Sequence, residues 1–303
     1  MKNPTCEKLV IFQPARREHE YLRSWYTVNC VLNALLAITA IIFNSVTIQA
    51  LRKTSSLPQP LKTLLLSLAV SDLGVGLLVE PFYFGLLVKW LQQDNSTDTT
   101  CSLFLSASYL FSAASFLGVM ALSVDRFLAV HLHLRYQELV THQRVVVGVI
   151  SIWMFSAFLS LFYLWVSRNI FYLFIAIFGV VYLVVSAILY SKIYFTVRRH
   201  RIQVHALQVA QDDQLANAAR LRKSAVGVFY VYLVLLLCYL PKVCSFVVIL
   251  NSGFSPGVKV FFSYSMTFLF LNSLLNPVIY CWKMRHIRSA VLNIMRNIFP
   301  SHN

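Results

Sequence analysis

A carboxylate stands in the middle of an apolar run at Asp72, with no basic residue near it in the chain. Charge at that depth is costly, and it is retained where it binds or moves something. Asn44, Ser115, Asn272, Ser273 and Asn276 lie inside other apolar runs and are of the types that can meet a carboxylate. Together they make an oxygen-rich set suited to a small hard cation. The same set also makes a hydrogen-bonded packing cluster without an ion, and spacing does not separate the two. A second constellation is Asp125-Arg126-Phe127, where 26 uncharged residues (99–124) end on an acid and a guanidinium. One reading is an interfacial arginine that snorkels to the bilayer surface. The other is a polar group at the mouth of a helix bundle. Ser108, Ser112, Ser115, Val119, Leu122 and Arg126 recur at steps of three and four and share one helix face. Serines towards one end and an arginine at the other suit the lining of a bundle.

Long helices must position these groups. The chain has 303 residues, 58% hydrophobic and 12% charged, whereas soluble domains carry about 25% charged residues. Seven apolar stretches, 24–51, 61–88, 101–126, 145–167, 169–191, 224–250 and 260–282, have the length to cross a bilayer, which takes about 20 residues. The predicted fold is an all-α seven-transmembrane helix bundle with a short amphipathic eighth helix. Residues 1–24 form the N-terminal tail, 25–282 the bundle, and 283–303 the amphipathic helix and short tail. Ile287, Val291, Ile294 and Ile298 share one face of that last segment, with Lys283, Arg285, Arg288 and Arg296 around the rest, as for a helix on an anionic membrane surface. Pro241 and Pro277 lie within spans and kink them.

The net charge of +15 is distributed by side of the membrane. With the N-terminus outside, the cytosolic segments hold 17 of the 26 Lys and Arg residues and a net charge of +13. That is a positive-inside signature, not a nucleic-acid surface. Of six cysteines, only Cys6 and Cys101 fall where an oxidising compartment is reached. There is no CxxC and no His/Cys cluster, so no zinc site is expected, and the His131/His133 pair lacks further ligands. Asn95-Ser96-Thr97 is a glycosylation sequon. HExxH, GxSxG and paired catalytic carboxylates are missing, so the chain is not expected to be an enzyme.

Phe43-Asn44, Leu68-Ala69-Val70-Ser71-Asp72, Cys101, Asp125-Arg126-Phe127, Trp153, Cys238-Tyr239-Leu240-Pro241 and Asn276-Pro277-Val278-Ile279-Tyr280, in this order and spacing, resemble the rhodopsin-like (class A) G-protein-coupled receptors across all seven spans. The resemblance implies a sodium pocket of Asp72, Ser115, Asn272, Ser273 and Asn276, holding an allosteric sodium ion, with no other cofactor. It implies a switch made of Asp125, Arg126, Tyr190, Pro241, Pro277 and Tyr280, and a G-protein contact at Leu134. Glu80, Ser108, Ser112, Tyr239, Lys242 and Met266 are the candidate ligand-binding residues. The implied partners are an extracellular ligand, a heterotrimeric G protein and membrane lipids, and the implied location is the plasma membrane.

Departures from the family pattern qualify this. Ser108 stands where amine receptors carry an aspartate, which points to a non-amine ligand, and Phe270 stands where opsins carry lysine. Tyr182 replaces the helix-five proline, Tyr239 the helix-six tryptophan, and Leu235 a phenylalanine. Leu221 replaces a glutamate that bonds the helix-three arginine, so raised basal activity is expected. The loop between spans four and five holds no cysteine, which leaves Cys6 as the reachable partner for Cys101. The missing proline and short loop resemble the melanocortin, adenosine and lipid-mediator cluster. Lys242 has three open readings: a latch with Glu80, a site for an anionic ligand, or a snorkelling side chain. An ion-coupled transporter using Asp72, and a receptor-shaped protein impaired in signalling, are the alternatives.

Overall fold

The first helix, α1 (His19–Lys53), turns Asn29, Asn33, Ala37, Ala40 and Asn44 inward and Val31, Leu35, Ile38 and Ile42 outward. Small and polar residues inside with aliphatics outside invert the pattern of a helix in water, and suit one surrounded by lipid. The computed structural model describes residues 12–55, 57–94, 98–132, 135–206, 233–283 and 285–298. Among the described residues, seven helices are long and apolar enough to cross a membrane. Helices are the form expected there, because a backbone in lipid must satisfy its own hydrogen bonds.

After α1 come α2 (Gln59–Leu91), α3 (Asp98–Leu132), α4 (His142–Trp165) and α5 (Arg168–Ala206). Then follow α6, described over Leu233–Ser252, α7 (Pro256–Lys283) and the short α8 (Arg285–Ile298). Thr141 caps α4 by accepting a hydrogen bond from the Arg144 amide at 3.4 Å. Only Val166 and Ser167 separate α4 from α5. Gly253, with φ +68°, turns the chain out of α6. The chain enters α1 at His19 and not at residue 25, so the expected tail is already helix there.

α2 is not uniform. Residues Val75–Val79 form a π turn. Pro81 has no N–H to give to the carbonyl four residues back, and a wider turn absorbs that loss. Each residue of a helix turns the chain by about 100°, so one extra residue re-aims everything after it. Glu80 and Tyr83 face inward as a result. Just before the turn, the Phe111 ring of α3 packs against Gly74, in the space a β-carbon would take. Gly74→Ala is therefore expected to lower stability by about 1–3 kcal/mol, read as a drop in the melting midpoint of the purified chain.

Two clusters fill the interior. The upper one, at the end that bears residues 12–18, joins Phe12, Tyr26, Tyr83, Trp90, Phe104, Phe171, Phe246, Phe262 and Phe270. The lower one joins Leu51, Leu65, Leu68, Phe116, Tyr182, Tyr239, Tyr280 and Ile287. The predicted apolar face of α8 is seated inward: Ile287 and Ile294 are buried and α8 lies against α1 and α7. Ile298 lies in α8, and its side chain is outside the described set.

Candidate functional site

Asp72 is fully buried between α2, α3 and α7. Ser115 donates to its Oδ1 at 2.7 Å and Asn276 Nδ2 to its Oδ2 at 2.9 Å, and the Ser273 side chain also reaches it. Asn272 sits one step out, donating to the Ser115 hydroxyl at 3.3 Å and to the Tyr239 hydroxyl at 3.3 Å. Asn44 is not a partner of the carboxylate. Its amide donates to the Ala40 and Ser273 carbonyls, at 2.9 Å each, and ties α1 to α7. Here the Ser115 hydroxyl and the Asn276 amide present donors to the carboxylate, while the carboxylate and hydroxyl oxygens are of the type that holds a small hard cation.

Beside this network three rings join three helices. The Tyr182 hydroxyl of α5 donates to the Phe116 carbonyl of α3 at 3.1 Å, and the two rings stack at 3.3 Å. Tyr239 of α6 lies 4.6 Å from Phe116. A continuous polar and aromatic path thus runs from Tyr182 through Phe116, Tyr239 and Asn272 to Ser115 and Asp72. Tyr239 packs in the lower cluster, and its hydroxyl accepts from the Asn272 amide.

At the lower end Asp125 is buried and accepts from both sides. Its Oδ2 takes the Arg126 guanidinium through Nε at 2.9 Å and through Nη2, and its Oδ1 takes the Tyr136 hydroxyl at 2.6 Å. Tyr136 opens the short helical turn Tyr136–Leu139. Burial, then its bond to Asp125, pushes the Tyr136 phenol up to about 12, so it stays a donor through the physiological range. The Tyr190 hydroxyl lies 2.6 Å from Ser123 Oγ, on the turn before Arg126. Tyr280 is buried in the lower cluster. The guanidinium is thus held by its own neighbour in the chain.

The upper end is closed by the residues that precede α1. Phe12 is 1% exposed and stacks on Phe262 of α7 at 3.7 Å and 10° between planes. Tyr26 donates to the Phe12 carbonyl at 3.0 Å, and Gln13 donates to the Asp94 carbonyl at 3.2 Å. Lys259 Nζ clamps the segment, reaching the Gln13 carbonyl at 3.2 Å and Glu18 Oε2 at 2.7 Å. Beneath this lid Asn29, Asn33, Ser263, Thr267 and Tyr83 bond one another across α1, α2 and α7. Burial acts to raise the Glu18 carboxyl, but the bonds from Lys259 and the Ala15 amide, with the Lys259 charge, leave it below its ordinary 4.5. A depressed folded value means that the clamp contributes fully above pH 4.5 and is lost as pH falls through the lower folded value. The hydrogen-exchange protection factor over residues 12–18, corrected for the intrinsic rate, is expected to fall on that descent and to be flat from pH 5 to pH 8.

Residues 43–170 match the family described as 7 transmembrane receptor (rhodopsin family). The chain is 28% identical to the histamine H2 receptor of Canis lupus familiaris over 301 residues, covering 91% of this chain and 81% of that receptor. Against the histamine H2 receptor of Homo sapiens it is 35% identical over 148 residues, covering 47% of this chain and 40% of that one. With the adenosine receptor A3 of Ovis aries it shares 23% identity over 302 residues, covering 90% and 91%. Over residues 43–170 the chain is similar to the rhodopsin-like (class A) G-protein-coupled receptors.

The receptor brings most of its predicted site residues together. Asp72, Ser115, Asn272, Ser273 and Asn276 form one network, and Asp125 with Arg126 forms the lower closure. Ser108 and Met266 are buried and Ser112 is half-buried on the inner side of the bundle. Glu80 and Lys242 do not pair: Lys242 Nζ rests on Phe262, and both are buried, which removes the latch and the snorkelling readings. Cys101 is disulfide-bonded, while Cys30, Cys238, Cys244 and Cys281 are free thiols. Cys6, Asn95, Leu134 and Leu221 lie outside the described residues. Phe12, Phe116 and Tyr136 join these networks and were missed by sequence reasoning. Only Phe116 carries a signal there, as the neighbour of Ser115.

Proposed function

We propose that this receptor sits in the plasma membrane with its N-terminus outside, binds an extracellular ligand other than a simple amine in the upper third of the bundle, and promotes nucleotide exchange on a heterotrimeric G protein at the lower mouth. The observation that carries the reading is the Asp125–Arg126–Tyr136 closure, a charged group held ready at the end of the helix that lines the whole interior. Release of Arg126 would open a mouth whose surroundings carry the basic excess, suited to anionic lipid and to an acidic partner surface. Ser108 at the amine-anchoring position, in an upper cluster made mostly of aromatic rings, supports a non-amine ligand. The named relatives are receptors for histamine and for adenosine, so the ligand class is this receptor's own question.

The carboxylate and hydroxyls of the Asp72 network support an allosteric sodium ion, which Asp72, Ser115, Asn272, Ser273 and Asn276 would hold. A resident cation there would favour the closed packing of α2, α3 and α7. On the outer side, Asn95 would carry glycan, and Cys6 would pair with Cys101, because the other four cysteines are free thiols. That bond would tie the tail to the top of α3 beside the lid. The deciding experiment measures guanine-nucleotide exchange on a panel of purified heterotrimers in membranes with and without the receptor. Faster exchange on at least one heterotrimer supports the reading. No acceleration on any, for the wild type and for a variant with Arg126 released, sinks it.

A further inference from the structure

Two buried charged groups near the upper end have no hydrogen-bond partner among the described residues. Lys242 is 8% exposed, and its Nζ lies 3.3 Å from the Phe262 ring centroid and 4.6 Å from that of Phe246. Ring faces replace only part of the hydration that an ammonium gives up on burial. Glu80 is 1% exposed, and both its carboxyl oxygens are unpaired. Glu80 precedes Tyr83 by three residues on one face of α2, and the Tyr83 ring stacks with Phe104 at 5.4 Å and meets Phe270 edge-on at 5.6 Å. Phe246, Phe262 and these rings belong to one cluster. The same Phe262 ring that supports Lys242 is stacked against the lid residue Phe12.

We infer that the upper cluster, with its two orphaned polar side chains, takes a small organic acid. Its carboxylate pairs with Lys242, its apolar body lies among the rings, and a hydroxyl or N–H at its other end donates to Glu80. This rests on the reading of the upper end as the ligand pocket. An uncharged ligand leaves the ammonium without a counter-charge, and a simple cation adds a second positive charge beside it. A ligand with both an anionic group and a donor satisfies both orphaned side chains at once. The lid limits its size, since Phe12 closes the cluster from above. Drawing Nζ towards a carboxylate also takes it off Phe262, the ring on which the lid is stacked, so occupancy and lid position are linked.

The test is thermal unfolding of the purified full chain in lipid nanodiscs with graded aromatic acids: indoleacetate, indolepropionate and indolebutyrate. Their methyl esters remove the charge, their N-methyl analogues remove the donor, and histamine supplies a cation. One acid is expected to raise the midpoint, with its ester at least about tenfold weaker, as for a buried charge-assisted bond. Lys242→Met should reduce the acid-to-ester ratio to under about twofold while Lys242→Arg retains it. Glu80→Leu should equalise the N–H and N-methyl compounds. The inference is overturned if no acid raises the midpoint, if esters match acids on the wild type, or if histamine alone stabilises. Should Lys242→Met fail to fold, the acid–ester comparison on the wild type still decides. Binding is read here without a G protein, so a negative result strikes the ligand class and leaves the signalling reading to its own exchange assay.

Discussion

Asp125→Ala is expected to raise ligand-free G-protein activation by about tenfold over the wild type. Hydrogen bonds to charged groups contribute about 1.5–3 kcal/mol each, and about 1.4 kcal/mol is a tenfold change in an equilibrium. Asp125 makes such bonds on both of its oxygens, to Arg126 and to Tyr136. The full value does not apply, because the Arg126 side chain is 28% exposed and water screens part of its gain. Alanine removes the acceptor altogether, so the guanidinium loses its tether and the Tyr136–Leu139 turn loses its bond to α3. Tyr136→Phe removes only the second contact and should give a smaller rise. No second tether for Arg126 is expected from position 221, which holds Leu221 where the family often holds glutamate. The measurement is nucleotide exchange per surface receptor in membranes. Equal exchange for wild type and Asp125→Ala would remove the closure from the mechanism.

Asp72→Ala is expected to lower stability by about 2–5 kcal/mol. The substitution leaves the Ser115 hydroxyl and the Asn276 amide as donors without their acceptor, and both sit where water does not reach. Each unsatisfied buried donor costs about 1–3 kcal/mol. Asp72→Asn keeps the shape and one oxygen, and should cost less while still removing the negative charge. That variant isolates the ion. Exchange of sodium for N-methylglucamine at fixed ionic strength should lower the melting midpoint of the wild type and leave Asp72→Asn unmoved. A wild type indifferent to the exchange would reduce the site to the hydrogen-bonded packing cluster that its spacing equally allows. Loss of Asp72 should also loosen the neighbouring ring path, since Asn272 donates both to Tyr239 and to the same Ser115.

Much of this was legible in the chain as a string. Seven runs of sufficient length and apolarity leave only helices as an outcome in lipid, and the seven helices follow. The steps of three and four along α3 place Ser115 and Arg126 on an inward face before any packing is known, because helix geometry alone decides it. A lone acid at mid-span demands polar partners, and Ser115 and Asn276 meet Asp72. These inferences rest on local periodicity and on the solvent, both properties of the sequence.

What the tertiary structure decided is pairing between residues far apart in the chain. Lys242 and Glu80 could have met, but the ammonium lies on Phe262, and Glu80 is re-aimed by a π turn that no residue count announces. Tyr239 could have faced up or down, and α7 draws its hydroxyl down through Asn272. Phe12 looked like part of a polar tail; it is core, because Phe262 and Lys259, about 250 positions away, provide its stack and its clamp. Helix identity follows from composition along the chain. Helix rotation, a single extra residue in a turn, and the choice among competing buried partners follow from packing, where the free energy depends on several helices at once.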